Sequence, residues 1–79
     1  MHVRIHSLSK TSFDGDAHSV TVPTSSGEIT VLPHHRPLIT EVVKGMVKII
    51  DAQGAESFVP VTSGFLEVSA EGMVSVLVD

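Results

Sequence analysis

Short runs rich in Val, Ile, Thr and Phe alternate along the chain with clusters of turn-forming residues. The breaks fall at Asp14-Gly15-Asp16, Ser25-Ser26-Gly27, Lys44-Gly45, Asp51-Ala52-Gln53-Gly54, Ser63-Gly64 and Glu71-Gly72. Turn signals every 8–12 residues or so mark a β-sandwich or barrel, and the residues between them suit a pleated surface. Several runs alternate with period two, which sends one set of side chains inward. On this pattern His18, Val20 and Val22 share one face, with Ala17, Ser19 and Thr21 opposite. Ile29 goes with Val31, Leu66 with Val68, and Val74, Val76 and Val78 oppose Met73, Ser75 and Leu77. The stretches Leu38–Val43 and Met46–Ile50 are apolar on both faces. A sheet with one wet face alternates cleanly, so these two strands are expected to cover the second face as well, inside the fold or against a partner. No segment carries a capped 3.6-residue apolar period over about ten residues, so no helix is expected. The pattern predicts eight strands, at 2–8, 17–22, 28–32, 38–43, 46–51, 56–61, 64–69 and 73–78. The fold class that follows is all-β, a small antiparallel two-sheet β-sandwich.

Length narrows the picture. Seventy-nine residues suit one domain spanning 1–79, and a chain this short buries only about 60–65% of the surface its unfolded form exposes. With no cysteine, neither a disulfide nor a thiolate metal site can reinforce it. Packed aliphatic side chains must hold the fold, and docking onto a larger partner would add stability by mass action.

Charge and aromatic content exclude one partner class. Nine acidic residues against five Lys and Arg give a formal charge of −4, and the cations Arg4, Lys10, Arg36, Lys44 and Lys48 are scattered. Phosphate-backbone binding rests on a clustered basic face, and three Phe with no Tyr or Trp supply no stacking platform for bases. No nucleic-acid partner is expected. There is no run of about 18 apolar residues, and Met-His-Val-Arg-Ile-His at the N-terminus has no signal-peptide core. The expectation is a soluble domain whose tie to a membrane runs through a partner.

Catalytic readings find little support. His2 and His6 share one strand face, but residues four apart on a strand lie about 13 Å apart. His34 and His35 are adjacent and tend to point apart, whereas zinc needs three or four converging ligands. Ser63-Gly64-Phe65 is half of a nucleophile elbow, without the preceding glycine and following helix. Asp14-Gly15-Asp16 lacks the spaced ligands and closing Glu of a calcium loop, and reads as a tight turn. No metal, cofactor or active site is expected.

The most distinctive stretch is Gly27-Glu28-Ile29-Thr30-Val31-Leu32-Pro33-His34-His35-Arg36-Pro37-Leu38-Ile39-Thr40. Its two prolines fix φ and bias the preceding residues toward extended shapes, and a stiff loop loses little entropy on binding. This stretch resembles the epsilon subunit of F-type ATP synthases, called delta in mitochondria. There the segment reads Gly-Glu-(apolar)-Gly-(apolar)-(apolar)-Pro-Gly-His-Ala-Pro-Leu-(apolar)-Thr. The likeness extends to Phe13-Asp14-Gly15 with Val20-Thr21-Val22-Pro23, to Lys44-Gly45-Met46-Val47-Lys48-Ile49, to Gly64-Phe65-Leu66-Glu67-Val68 and to Val74-Ser75-Val76-Leu77-Val78-Asp79. His34 stands where the family has Gly, Arg36 where it has Ala, Thr30 where a Gly is common, and Thr62-Ser63-Gly64 in place of Ser-Gly-Gly.

The resemblance implies a β-sandwich of about eight to ten strands acting as a non-catalytic rotor part of the central stalk. Its implied partners are the gamma subunit and the c-ring, with membrane association only through the c-ring and no homo-oligomer. Its implied place is the cytoplasmic face of the bacterial inner membrane. Glu28 and Ile29 match positions that meet the c-ring's polar loops, and His35, Arg36 and Thr40 match positions that meet gamma. The family usually continues past the position of Asp79 into a C-terminal helical hairpin that carries inhibition. Residues 1–79 stop before that hairpin, as either a minimal subunit or part of a longer one, and by themselves are expected to couple rotation without inhibiting ATP hydrolysis. Two readings of other classes stand beside this one, a free-standing β-sandwich adaptor and a small cupin-like metal enzyme.

Overall fold

In a computed structural model describing residues 1–79, the apolar alternation resolves into nine strands and no helix. They are β1 (His2–His6), β2 (Thr11–Asp16), β3 (Ser19–Thr24), β4 (Gly27–Val31), β5 (Leu38–Val42), β6 (Gly45–Ile50), β7 (Glu56–Val61), β8 (Gly64–Val68) and β9 (Val74–Val78). One sheet has the order β2-β1-β9-β8-β5 and the other β4-β3-β6-β7. Val3, Ile5, Leu66, Val68, Val74 and Val76 of the first sheet face Val20, Val22, Val31, Val47 and Ile49 of the second, in one cluster of 14 buried apolar residues. Each such side chain, fully buried, contributes about 1.5–3 kcal/mol.

The expected antiparallel two-sheet sandwich forms, and two finer expectations need correction. The sheets are antiparallel except at β1 and β9, which run parallel with Val3 opposite Val74 and Ile5 opposite Val76. The direction of β9 is set by its hairpin with β8, and β1 has already used its other side for β2. The first correction adds a strand. Asp14-Gly15-Asp16 is not a turn but the end of β2, with Asp14 opposite Arg4 and Gly15 opposite Val3. The chain reverses earlier, where the Ser7 amide donates to the Lys10 carbonyl at 2.8 Å and the Lys10 amide to Ser7 Oγ at 3.2 Å. β2 is an edge strand that offers the core only Phe13, and charge and glycine are common devices on such edges.

Second, His18 does not share a face with Val20 and Val22. It is exposed, while Ala17 and Ser19 are buried. Residues 17 and 18 form the bend into β3, tied by the Ala17 amide to the Met1 carbonyl at 2.8 Å and by the His18 amide to the Ile50 carbonyl at 2.7 Å. That bend shifts the phase, so the alternation begins at Val20. Of the two covers expected for the second faces of β5 and β6, the fold does not supply the first, because Ile39 is 72% and Met46 51% exposed.

Strand directions sort the connections onto two poles. The turns at 7–10, 25–26, 43–44 and 62–63, together with Asp79, lie at one end, here the upper pole. Met1, residues 17–18, the 32–37 loop and the turns at 51–55 and 69–72 lie at the lower pole.

Candidate docking surfaces

The 32–37 loop crosses from one sheet to the other, joining β4 to β5 at the lower pole. Its first half is a turn closed by the His35 amide, which donates to the Leu32 carbonyl at 3.2 Å. Pro33 presets the second position of that turn, and His34 takes the third with φ 68°, a position that usually demands glycine. A left-handed backbone costs an L residue about 1–2 kcal/mol. His35 is half-buried, with Nδ1 2.6 Å from the Arg36 carbonyl oxygen, while Arg36 is exposed. Pro37 then delivers the chain into the edge strand β5.

The anticipated site residues fall into separate places. His35 and Arg36 come together in the loop, but Thr40 lies farther up β5 and is half-buried, on the face shared with Leu38 and Val42. Glu28 is exposed on the edge strand β4, opposite Pro23. Ile29, opposite Val22, packs against the core and is only half-open to solvent. The turn above them is built by Thr24, whose Oγ1 donates to the Gly27 carbonyl at 2.5 Å and accepts from the Ser26 amide at 3.2 Å. β4 thus separates the two sets: Glu28 lies toward the upper pole, and the loop begins at the lower, about 10 Å on.

The outer face of the five-stranded sheet carries features that the sequence reading passed over. Phe65, 55% exposed, lies opposite Leu77 and Glu41, and Ile39 lies opposite Glu67. The other half of that face is polar, with His2 Nε2 2.6 Å from Asp14 Oδ1 and His6 Nε2 3.2 Å from Ser75 Oγ. The signal for the apolar half was present in Gly64–Val68, where burial of Leu66 and Val68 leaves Phe65 and Glu67 facing out. At the upper pole Asp79 ties β9 to the turn between β7 and β8. Its Oδ2 accepts from the Thr62 hydroxyl at 2.5 Å and its Oδ1 from the Ser63 amide at 3.3 Å. The Thr62 hydrogen bond, helped by those to main-chain amides and opposed by partial desolvation, holds the Asp79 carboxyl below its ordinary value.

The histidines do not converge: no group of three or more His, Asp or Glu side chains is placed to hold a metal ion. A cupin-like site would need such a group inside a barrel, and these are two open sheets. Ser63 sits in a turn between two strands, without the helix that a nucleophile elbow requires.

Against protein families, residues 1–79 match the model of the ATP synthase delta/epsilon chain β-sandwich domain over their whole length. The chain belongs to that family. The ATP synthase epsilon chain of Bordetella petrii is 43% identical over 79 residues, covering all of this chain and 55% of the relative. That of Delftia acidovorans is also 43% identical, with 56% of the relative covered. This delta/epsilon-type chain therefore spans about half the length of the curated relatives it matches. Two solved structures share its fold at 18% identity. One is a chain of the Euglena gracilis mitochondrial ATP synthase (OSCP/F1/c-ring), with TM-score 0.89, covering 96% of this chain and 48% of that one. The other comes from the Tetrahymena thermophila mitochondrial ATP synthase central stalk and c-ring, with TM-score 0.81, 99% and 62% covered.

Proposed function

We infer that this chain is a non-catalytic rotor element of an F-type ATP synthase, holding the gamma subunit and the c-ring together so that ion flow and ATP synthesis stay coupled. The observation that carries this reading is the separation of the two predicted contact sets by β4. A coupling element needs two surfaces that are distinct yet rigidly joined, because torque entering at one must leave at the other without being absorbed by bending. Glu28 lies toward the upper pole of the sandwich and His35 and Arg36 at the lower, and the core between them is close-packed and of low compressibility. No element of this body is a helix or a long linker that would yield under load.

In this reading Glu28 meets the c-ring's polar loops as an exposed acceptor, and Ile29 sets its height by anchoring the edge strand to the core. His35 and Arg36 meet gamma from a loop already stiffened by Pro33 and Pro37, so little ordering entropy is lost on docking. Thr40 serves that contact from the open edge of β5. The chain reaches the membrane through the c-ring alone, at the cytoplasmic face of the bacterial inner membrane. The test is co-purification: untagged gamma and detergent-solubilised c-ring should each be retained by the immobilised chain. Retention of neither at micromolar concentration would leave the free-standing adaptor as the better account.

A further inference from the structure

The lower-pole loop holds an exposed histidine in a conformation that the free domain gains nothing from. His34 occupies the third position of the Leu32–His35 turn at φ 68°, where glycine is the unstrained choice. When other residues take up this backbone, they are usually Asn or Asp, whose side chains bond locally to the main chain. The His34 imidazole makes no hydrogen bond or ion pair within the molecule, in contrast to His35, whose Nδ1 is engaged by the Arg36 carbonyl. Strain that no internal contact offsets, placed on a recognition loop, points to a side chain that works at another molecule's surface.

The neighbourhood defines what that surface must offer. His34, His35 and Arg36 are the only three consecutive nitrogen-bearing side chains in a chain of formal charge −4. Pro33, His34 and His35 form one wall of a shallow hollow at the pole, and Met1, Ala70, Glu71 and Gly72 form the other. The exposed imidazole and the exposed guanidinium two residues on are donors, and neither is met by an acidic side chain of this chain. Two exposed donors two positions apart on one stiff loop, without an acidic partner inside the chain, suit a carboxylate.

Resting on the reading that this loop docks on gamma, we propose that His34 is a specificity-determining residue of that contact, donating with Arg36 to an acidic side chain of gamma. The imidazole is then a recognition group, and the left-handed turn is what points it outward.

Titration calorimetry of the full chain against purified gamma tests this with three variants. His34→Gly relieves the turn, so the free chain should melt a few degrees higher, yet bind gamma roughly tenfold more weakly, the change that loss of one charge-assisted contact brings. His34→Asp also tolerates the turn but sets like charge against the proposed carboxylate, and should bind more weakly still. Equal losses in the two variants would trace the effect to loop flexibility and overturn the acidic partner. Wild-type affinity in both, with Arg36→Glu weakened, would overturn this inference alone. Wild-type affinity in all three would overturn the placement of this loop at the gamma contact as well, whereas no heat of binding from the parent chain would overturn the gamma reading itself.

Discussion

Gly64 lies so close to β9 that a methyl group on its Cα would overlap the Leu77 carbonyl oxygen. It pairs with Val78 on one side and Val42 on the other, so neither neighbour can withdraw without breaking a ladder. Gly64→Ala should therefore destabilise the domain by about 1–3 kcal/mol, a large share of a total that starts near 5 kcal/mol. A urea melt should show the midpoint falling at unchanged slope. A midpoint equal to the parent's would mean that β8 moves outward freely.

Adjacent positions on β8 should behave oppositely. Leu66 is fully buried and Phe65 is 55% exposed. Leu66→Ala is expected to cost about 2–5 kcal/mol, and Phe65→Ser to change stability by no more than about 0.5 kcal/mol. Comparable losses, measured by the same melts, would contradict the assignment of β8's outer face.

These contrasts show where the sequence was legible. Leu66 and Val68, or Val74 and Val76, could be assigned to the core because period-two alternation is unbroken there. The turn at Ser25-Ser26-Gly27 was legible because glycine and serine have few other reasons to cluster. β2 was not, because an edge strand of Thr, Ser, Asp and Gly has the composition of a loop, and pairing with β1 rather than propensity makes it a strand. His18 was misassigned because a bend shifts phase without leaving a mark in the pattern. For the candidate site, the stiffness of Pro33–Pro37 and the shared face of Ile29 and Val31 could be read directly, whereas the distance of Thr40 from the loop depends on where β5 begins and could not.

The docking loop can be probed by charge reversal. Arg36→Glu should weaken binding to gamma more than Lys10→Glu, because Arg36 lies in the stiff lower-pole loop and Lys10 in the turn at the opposite pole. A charge close to an interface affects it far more than a remote one. Equal losses, or none in either variant, would mean that the contact lies elsewhere on the surface.

The Thr62–Asp79 contact should appear in the pH dependence of stability. The folded-state carboxyl of Asp79 titrates below its ordinary value of 3.8. A depressed folded pKa stabilises the fold at pH values above the unfolded one, and this contribution disappears as pH falls through the folded one. Thr62→Val removes the main cause of the depression. The melting temperatures of parent and variant should differ by a constant amount above pH 5 or so and converge below about pH 4. A gap that persists unchanged into strong acid would mean that Thr62 acts through packing.

The parallel pairing of β1 with β9 has a consequence for how the protein is made. Val3 and Val74 are neighbours in the sheet but lie about seventy positions apart in the chain. At a synthesis rate of about 5–20 residues per second, β1 and β2 leave the ribosome several seconds before the strand that completes their sheet. A two-stranded hairpin alone is marginally stable at best, and the free side of β1 offers unpaired amides and carbonyls to any other extended segment. Between the emergence of β1 and that of β9 that edge stays open, and the sheet that carries Phe65 and Leu77 closes only once β9 has followed β8 out.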